Sequence, residues 1–174
     1  MEHTLTWVRA ILGTTPARWQ NLAVAVPESL LARKPTPAEW SARQCLLHLL
    51  DTERGVFPVR VRAFLDGRDF PAFDPDREGS TDAGAPVASL AAELAGLRAE
   101  NLTLLDTVRA SDLTRTAHHP ELGRVTLNQM LHEWAAHDLD HTIQAERAVM
   151  QPFILACGPW RGTFKAQDLG AEAP

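Results

Sequence analysis

The chain has 174 residues, 45% of them hydrophobic and 22% charged, and a formal net charge of −5. These values describe a globular protein long enough to bury about 70% of its unfolded surface. The acidic balance, with no Lys/Arg run against it, argues against nucleic acid as a partner. The apolar runs are far too short to span a bilayer, and the N-terminus lacks the basic-then-apolar pattern of a signal peptide.

Two cysteines, Cys45 and Cys157, do not make a disulfide framework and suit a reducing cytoplasm. Five Trp and no Tyr point to large aromatic anchors in the core. The expectation is one all-α domain over residues 1–174, with a core of about 4–150 and a C-terminal extension at 151–174.

Four segments carry helical periodicity. The first spans about 4–26, with Leu5, Val8, Ile11, Leu12, Trp19, Leu22, Ala23 and Val26 apolar at helical spacing. Gly13-Thr14-Thr15-Pro16 interrupts it. Thr15 as a cap and Pro16 at a first helical position predict a short helix followed by a longer one.

Pro27, Pro35 and Pro37 mark a connection before the second helix. Ser41 opens that helix in a capping box with Gln44, and Trp40 and Cys45 form a candidate hydrophobic staple. Its stripe runs through Leu46, Leu49, Leu50, Phe57, Val61 and Phe64 to an end near Gly67, with a kink expected at Pro58.

Residues 67–86 are rich in breakers and polar groups. A connection of that length crosses a bundle and joins parallel helices, whereas antiparallel neighbours need only a few residues. The third helix is expected at about 87–109, with Leu90, Leu94, Leu97, Leu104 and Val108 on one stripe that Asn101 interrupts. Residues 111–125 read as a loop with a turn at Pro120 to Gly123. Thr126 and Gln129 repeat the capping box and open a fourth helix that runs to about Met150. Gln151-Pro152 is the expected stop, and Gly158-Pro159 ends any continuation. No stretch shows sustained two-residue alternation, so no strand is expected.

The fourth helix contains His137-Asp138-Leu139-Asp140-His141. Residues four apart stand one turn above each other, so both imidazoles leave the same face and can share one ion. Met130, Trp134, His137, His141, Gln144 and Ala148 read as a core-facing stripe, and two buried imidazoles need partners that a metal supplies at once. The zinc-protease HExxH pattern is absent, since Asp138 follows His137. His48 lies beside the apolar stripe of the second helix. That position fits a helix edge turned toward a neighbour as well as a simple boundary residue, and periodicity does not choose between them.

Three separated features agree in order: Trp40-Ser41 followed by His48, then Gly123 with Val125-Thr126-Leu127, then His137 with His141. Over about residues 4–150 the chain resembles the DinB-like superfamily, which includes bacillithiol transferases and is similar to the mycothiol-dependent maleylpyruvate isomerases. The resemblance implies a four-helix bundle with an up-down-down-up path and a long crossover between helices two and three. It also implies a divalent metal, zinc or nickel, on His48, His137 and His141, and a homodimer formed through a bundle face.

Around that site, Asp51, Thr52 and Gln144 lie one turn from a ligand and can reach the neighbourhood. Asp51 and Asp140 nonetheless read as solvated surface. Glu53 falls on the apolar side of its helix and is expected to pair with Arg60. Cys45 reads as a buried small hydrophobe and Asn101 as a structural core residue. His3, His118, His119 and His132 read as surface.

Three protein ligands leave a position for water or a thiolate, the pattern of a catalytic site. The first functional reading is a metal-dependent transferase acting on a small-molecule substrate with a low-molecular-weight thiol. The alternatives are a metal-dependent hydrolase and a non-catalytic stress-associated protein with a structural metal.

Overall fold

The computed structural model describes residues 3–70 and 84–170. Among these residues there are six α-helices: α1 (Thr4–Ala25), α2 (Glu28–Leu31), α3 (Ala42–Gly55), α4 (Phe57–Asp66), α5 (Val87–Asp106) and α6 (Leu127–Ala156). A 3-10 turn at Ala110–Thr114 leads into β1 (Thr116–His119) and β2 (Gly123–Thr126), and a second at Gly158–Phe164 follows α6. Among the described residues no helix is long and apolar enough to cross a membrane.

Long-range pairs give the helix directions. Arg9 near the start of α1 pairs with Asp106 at the end of α5, while Thr4 bonds Asn128 at the start of α6 at 2.7 Å. Glu53 late in α3 reaches Trp134 early in α6, and Trp40 just before α3 reaches His141 further along α6. Thus α1 runs antiparallel to α5 and parallel to α6, and the α3–α4 arm runs antiparallel to α6. The result is a four-helix bundle with an up-down-down-up path, as the length of the 67–86 connection implied. Most of that connection, residues 71–83, lies outside the described residues.

Both capping boxes are present. Gln44 N donates to Ser41 Oγ at 3.2 Å and Ser41 N to Gln44 Oε1 at 3.0 Å; Gln129 and Thr126 repeat this at 3.2 and 2.8 Å. Gly67 adopts φ 67°, the left-handed conformation that lets Arg68 N bond Ala63 O and close α4. At Pro58 the chain breaks rather than kinks: Val56 ends α3, and Pro58 sits in the first turn of α4, where its missing N–H costs nothing.

Three expectations about element boundaries fail. α1 passes unbroken through Gly13-Thr14-Thr15-Pro16, because the carbonyls around Pro16 find other donors. Thr14 Oγ1 donates to Ile11 O at 2.8 Å, and the carbonyl of Leu12, which Pro16 cannot serve, accepts from Arg98 at 2.7 Å. α6 also passes its proline. Pro152 lies inside it, buried Ile154 holds the last turn to the core, and Gly158 at φ 59° follows its end.

The 111–125 segment is not only loop. β1 and β2 pair antiparallel with His119 opposite Gly123, across the turn expected at Pro120 to Gly123. Each strand has four residues and only Ala117 is buried, too little for alternation to show.

Buried apolar residues form two clusters. One gathers Leu12, Phe57, Phe64, Leu131 and Trp134, the other Trp19, Leu46, Leu50, Leu90 and Leu94. Cys45 lies in the second with no exposure, as expected of a small hydrophobe, and burial pushes its thiol up to about 12.

Candidate metal centre

His48 projects from the middle of α3 and His137 and His141 from successive turns of α6. The antiparallel crossing of these helices brings all three together. One ligand nitrogen from each lies within 4.8 Å of the other two. His48 Nε2 and His137 Nε2 are 2.8 Å apart, and the His141 ring lies 4.4 and 4.5 Å from the rings of His48 and His137. Of the two readings of His48, the boundary residue is set aside: its helix edge faces α6.

Each ring has its own support. Trp40 stacks on His141 at 5.7 Å and tilts against His48 at 5.1 Å. Phe57 meets His137 edge-on at 5.2 Å and stacks on Trp134 at 4.9 Å. Gln144 Oε1 lies 2.8 Å from His141 Nδ1. An amide oxygen only accepts, so Nδ1 carries the proton and Nε2 keeps its lone pair. Nδ1 of His137 is buried without a hydrogen-bond partner, so Nε2, facing His48, is the edge with coordinating contacts.

Burial lowers the pKa of His48, and burial together with the neighbouring His141 and His48 takes His137 down to about 3. His48 and His137 are therefore neutral donors at physiological pH. Three half-buried imidazoles whose ligand nitrogens converge fit a divalent cation.

The stripe assigned to α6 is displaced by one position. The most buried line is Leu127, Leu131, Trp134, Asp138, Thr142 and Ala145, and the two histidines flank it, half-buried. Asp138, given no role by the sequence reading, is 1% exposed in the bundle centre. It accepts from Arg98 at 2.7 and 3.0 Å, while Arg98 also donates to both carboxylate oxygens of Glu53 at 2.6 and 3.0 Å. The expected Glu53–Arg60 pair is thus replaced by a buried Glu53–Arg98–Asp138 triad. Asn101 Nδ2 and Trp134 Nε1 complete the shell of Glu53 at 2.9–3.3 Å. Burial disfavours the Arg98 charge, but Asp138 and Glu53 outweigh it and raise its pKa.

Other expected residues separate cleanly. Gln144 reaches His141, and Thr52 lines the adjoining cavity while its Oγ1 donates to carbonyls of its own helix; Asp51 pairs with Arg54 at 3.4 Å. Asp140, His3, His118 and His132 are exposed. His119 is not simple surface: with Arg60 and Glu133 it lines a cavity of about 420 Å3 that opens on all three site histidines. The hairpin that carries it has no periodic signature. Arg98 was legible in principle, since it follows Leu90, Leu94 and precedes Asn101 at core spacing.

Residues 11–145 match the family model of the DinB superfamily. The chain belongs to the DinB superfamily. No curated protein sequence matches it. Among solved structures, the DinB fold of this chain is similar to YfiT from Bacillus subtilis, described as a probable metal-dependent hydrolase with an unusual four-helix bundle topology. The TM-score is 0.72 at 20% identity, covering 83% of this chain and 85% of YfiT.

Proposed function

We propose that this DinB-superfamily protein is a divalent-metal-dependent enzyme in which His48, His137 and His141 hold the ion and the adjoining cavity takes a small-molecule substrate together with a low-molecular-weight thiol. The observation that carries this reading is the convergence of three imidazoles on a cavity, with no cysteine or carboxylate joining their group among the described residues. A structural site is more often closed by a fourth protein ligand.

When bound, zinc or nickel supplies Lewis acidity that lowers the pKa of a thiol or water. The chain's own residues prepare for this. Gln144 holds the proton of His141 on Nδ1, burial keeps His137 and His48 unprotonated, and Trp40 and Phe57 hold ring planes. Cys45, fully buried and with its thiol pushed up to about 12, does not supply a nucleophile, so the thiol comes from a cofactor.

The same argument favours a second reading, a hydrolase in which water is the nucleophile, and the description of YfiT supports it. Metal-loaded protein incubated with an electrophile and bacillithiol, mycothiol or glutathione separates the two. Thiol-dependent consumption of the electrophile is expected; hydrolysis at the same rate without thiol moves the assignment to the hydrolase.

We also propose a homodimer, supported by Ile143, Phe153 and Leu155, which remain exposed on α6. A monomer mass in light scattering across a wide concentration range contradicts it.

A further inference from the structure

Charges of both signs line the cavity: Arg60 on one element, Glu133 on another and Glu121 at the hairpin turn. Arg60 comes from α4, half-buried with its guanidinium 5.1 Å from the Phe70 ring, and Glu133 comes from α6, one turn before His137. Each feels the other's field: burial draws Arg60 down and raises Glu133, and in both cases the partner opposes the change. Yet neither is engaged in a hydrogen bond or ion pair, with the other or with anything else the structure describes. Opposite charges lining one cavity are complementary to a ligand that carries both signs.

Apolar side chains share the wall with these groups. Val56 and Phe57 are buried on the α3–α4 side, and Leu122, at the hairpin turn, is 72% exposed although it borders the cavity. An apolar group seated there covers Leu122.

We propose that the cavity selects a zwitterionic small molecule of amino-acid type, its carboxylate on Arg60, its ammonium on Glu133 and an apolar side chain against the hairpin turn. This rests on the proposed small-molecule site and names the class of molecule it takes. The guanidinium matches a carboxylate in planar, two-point fashion, and the carboxylates of Glu133 and Glu121 offer acceptors to an ammonium. A simple carboxylate leaves Glu133 unanswered, and a simple amine leaves Arg60 so.

Three probes of matched length test it: norleucine, hexanoate and pentylamine. Their affinities are measured by calorimetry on the full chain, both zinc-loaded and metal-free. Norleucine is expected to bind about tenfold or more tightly than either analogue in both forms, the advantage of one added charged contact. Arg60→Gln should bring norleucine to the level of pentylamine, and Glu133→Gln to the level of hexanoate.

Equal affinities for the three probes, or a preference that survives both substitutions, overturns the proposal. A preference confined to the zinc-loaded protein also overturns it, because that is chelation by the ion. Circular dichroism and zinc content qualify each variant, while the comparison of ligands on the unaltered chain depends on no variant. Failure of the histidine site appears separately, as absent zinc with the metal-free preference intact.

Discussion

Arg98 donates to the main-chain oxygen of Leu12 at 2.7 Å, the oxygen that Pro16 leaves without a helical donor. One guanidinium therefore joins α1 to the carboxylates of α3 and α6 in the bundle centre. Removing it strands Glu53 and Asp138, each 1% exposed, and the free carbonyl as well. Arg98→Ala is expected to cost about 3–5 kcal/mol of stability, the range for breaking a buried ion pair from one side. Urea denaturation of the variant reads this directly. A loss below about 1 kcal/mol contradicts the triad as the bundle's central tie, since that is the range of an exposed pair.

The histidines answer to a different measurement. Their half-buried, off-centre positions mean that losing one removes an ion ligand but little core. His137→Ala and His141→Ala are expected to bring bound metal near background while the helical signal stays close to that of the parent chain. Elemental analysis that finds full stoichiometry in the double variant ends the three-histidine site.

The helices, both capping boxes and the bundle path were legible because they rest on local periodicity and on one long connection. The histidine cluster was legible only in part. The four-residue spacing of His137 and His141 fixed a shared face, but His48 needed the crossing of α3 over α6, which no single-helix pattern contains. Arg98 and Asp138 were missed because charged residues at core spacing look like interruptions until their partners, 45 and 40 positions away, are known. Pro16 and Pro152 misled for the same reason: what makes a proline tolerable inside a helix comes from outside the helix.

Gln144 gives a finer test of the site. Its amide oxygen holds the proton of His141 on Nδ1 at 2.8 Å, and nothing in that contact touches an ion. Gln144→Ala is expected to weaken zinc binding by about 10- to 100-fold, the usual result of removing the partner that orients a ligating imidazole. Gln144→Glu, which keeps an acceptor, should retain most of the affinity. Competition with a chromophoric chelator measures both; equal affinity in the parent and the alanine variant removes the orienting role.

Acid sensitivity is the last consequence of the histidine cluster. His137 is held near 3 in the folded chain, against about 6.5 for an unperturbed imidazole. Between those values the unfolded chain binds a proton that the native chain refuses, so the unfolded state gains as pH falls. Stability is therefore full above about pH 6.5 and declines toward pH 3, by at most about 1.4 kcal/mol per pH unit from this group. His48, lowered by burial, acts in the same direction. Carboxylates also contribute in acid, so the test compares the metal-free parent with His137→Leu. Denaturation midpoints taken from about pH 7 down to pH 4 should fall more steeply in the parent, and identical slopes would mean that His137 takes up its proton without unfolding.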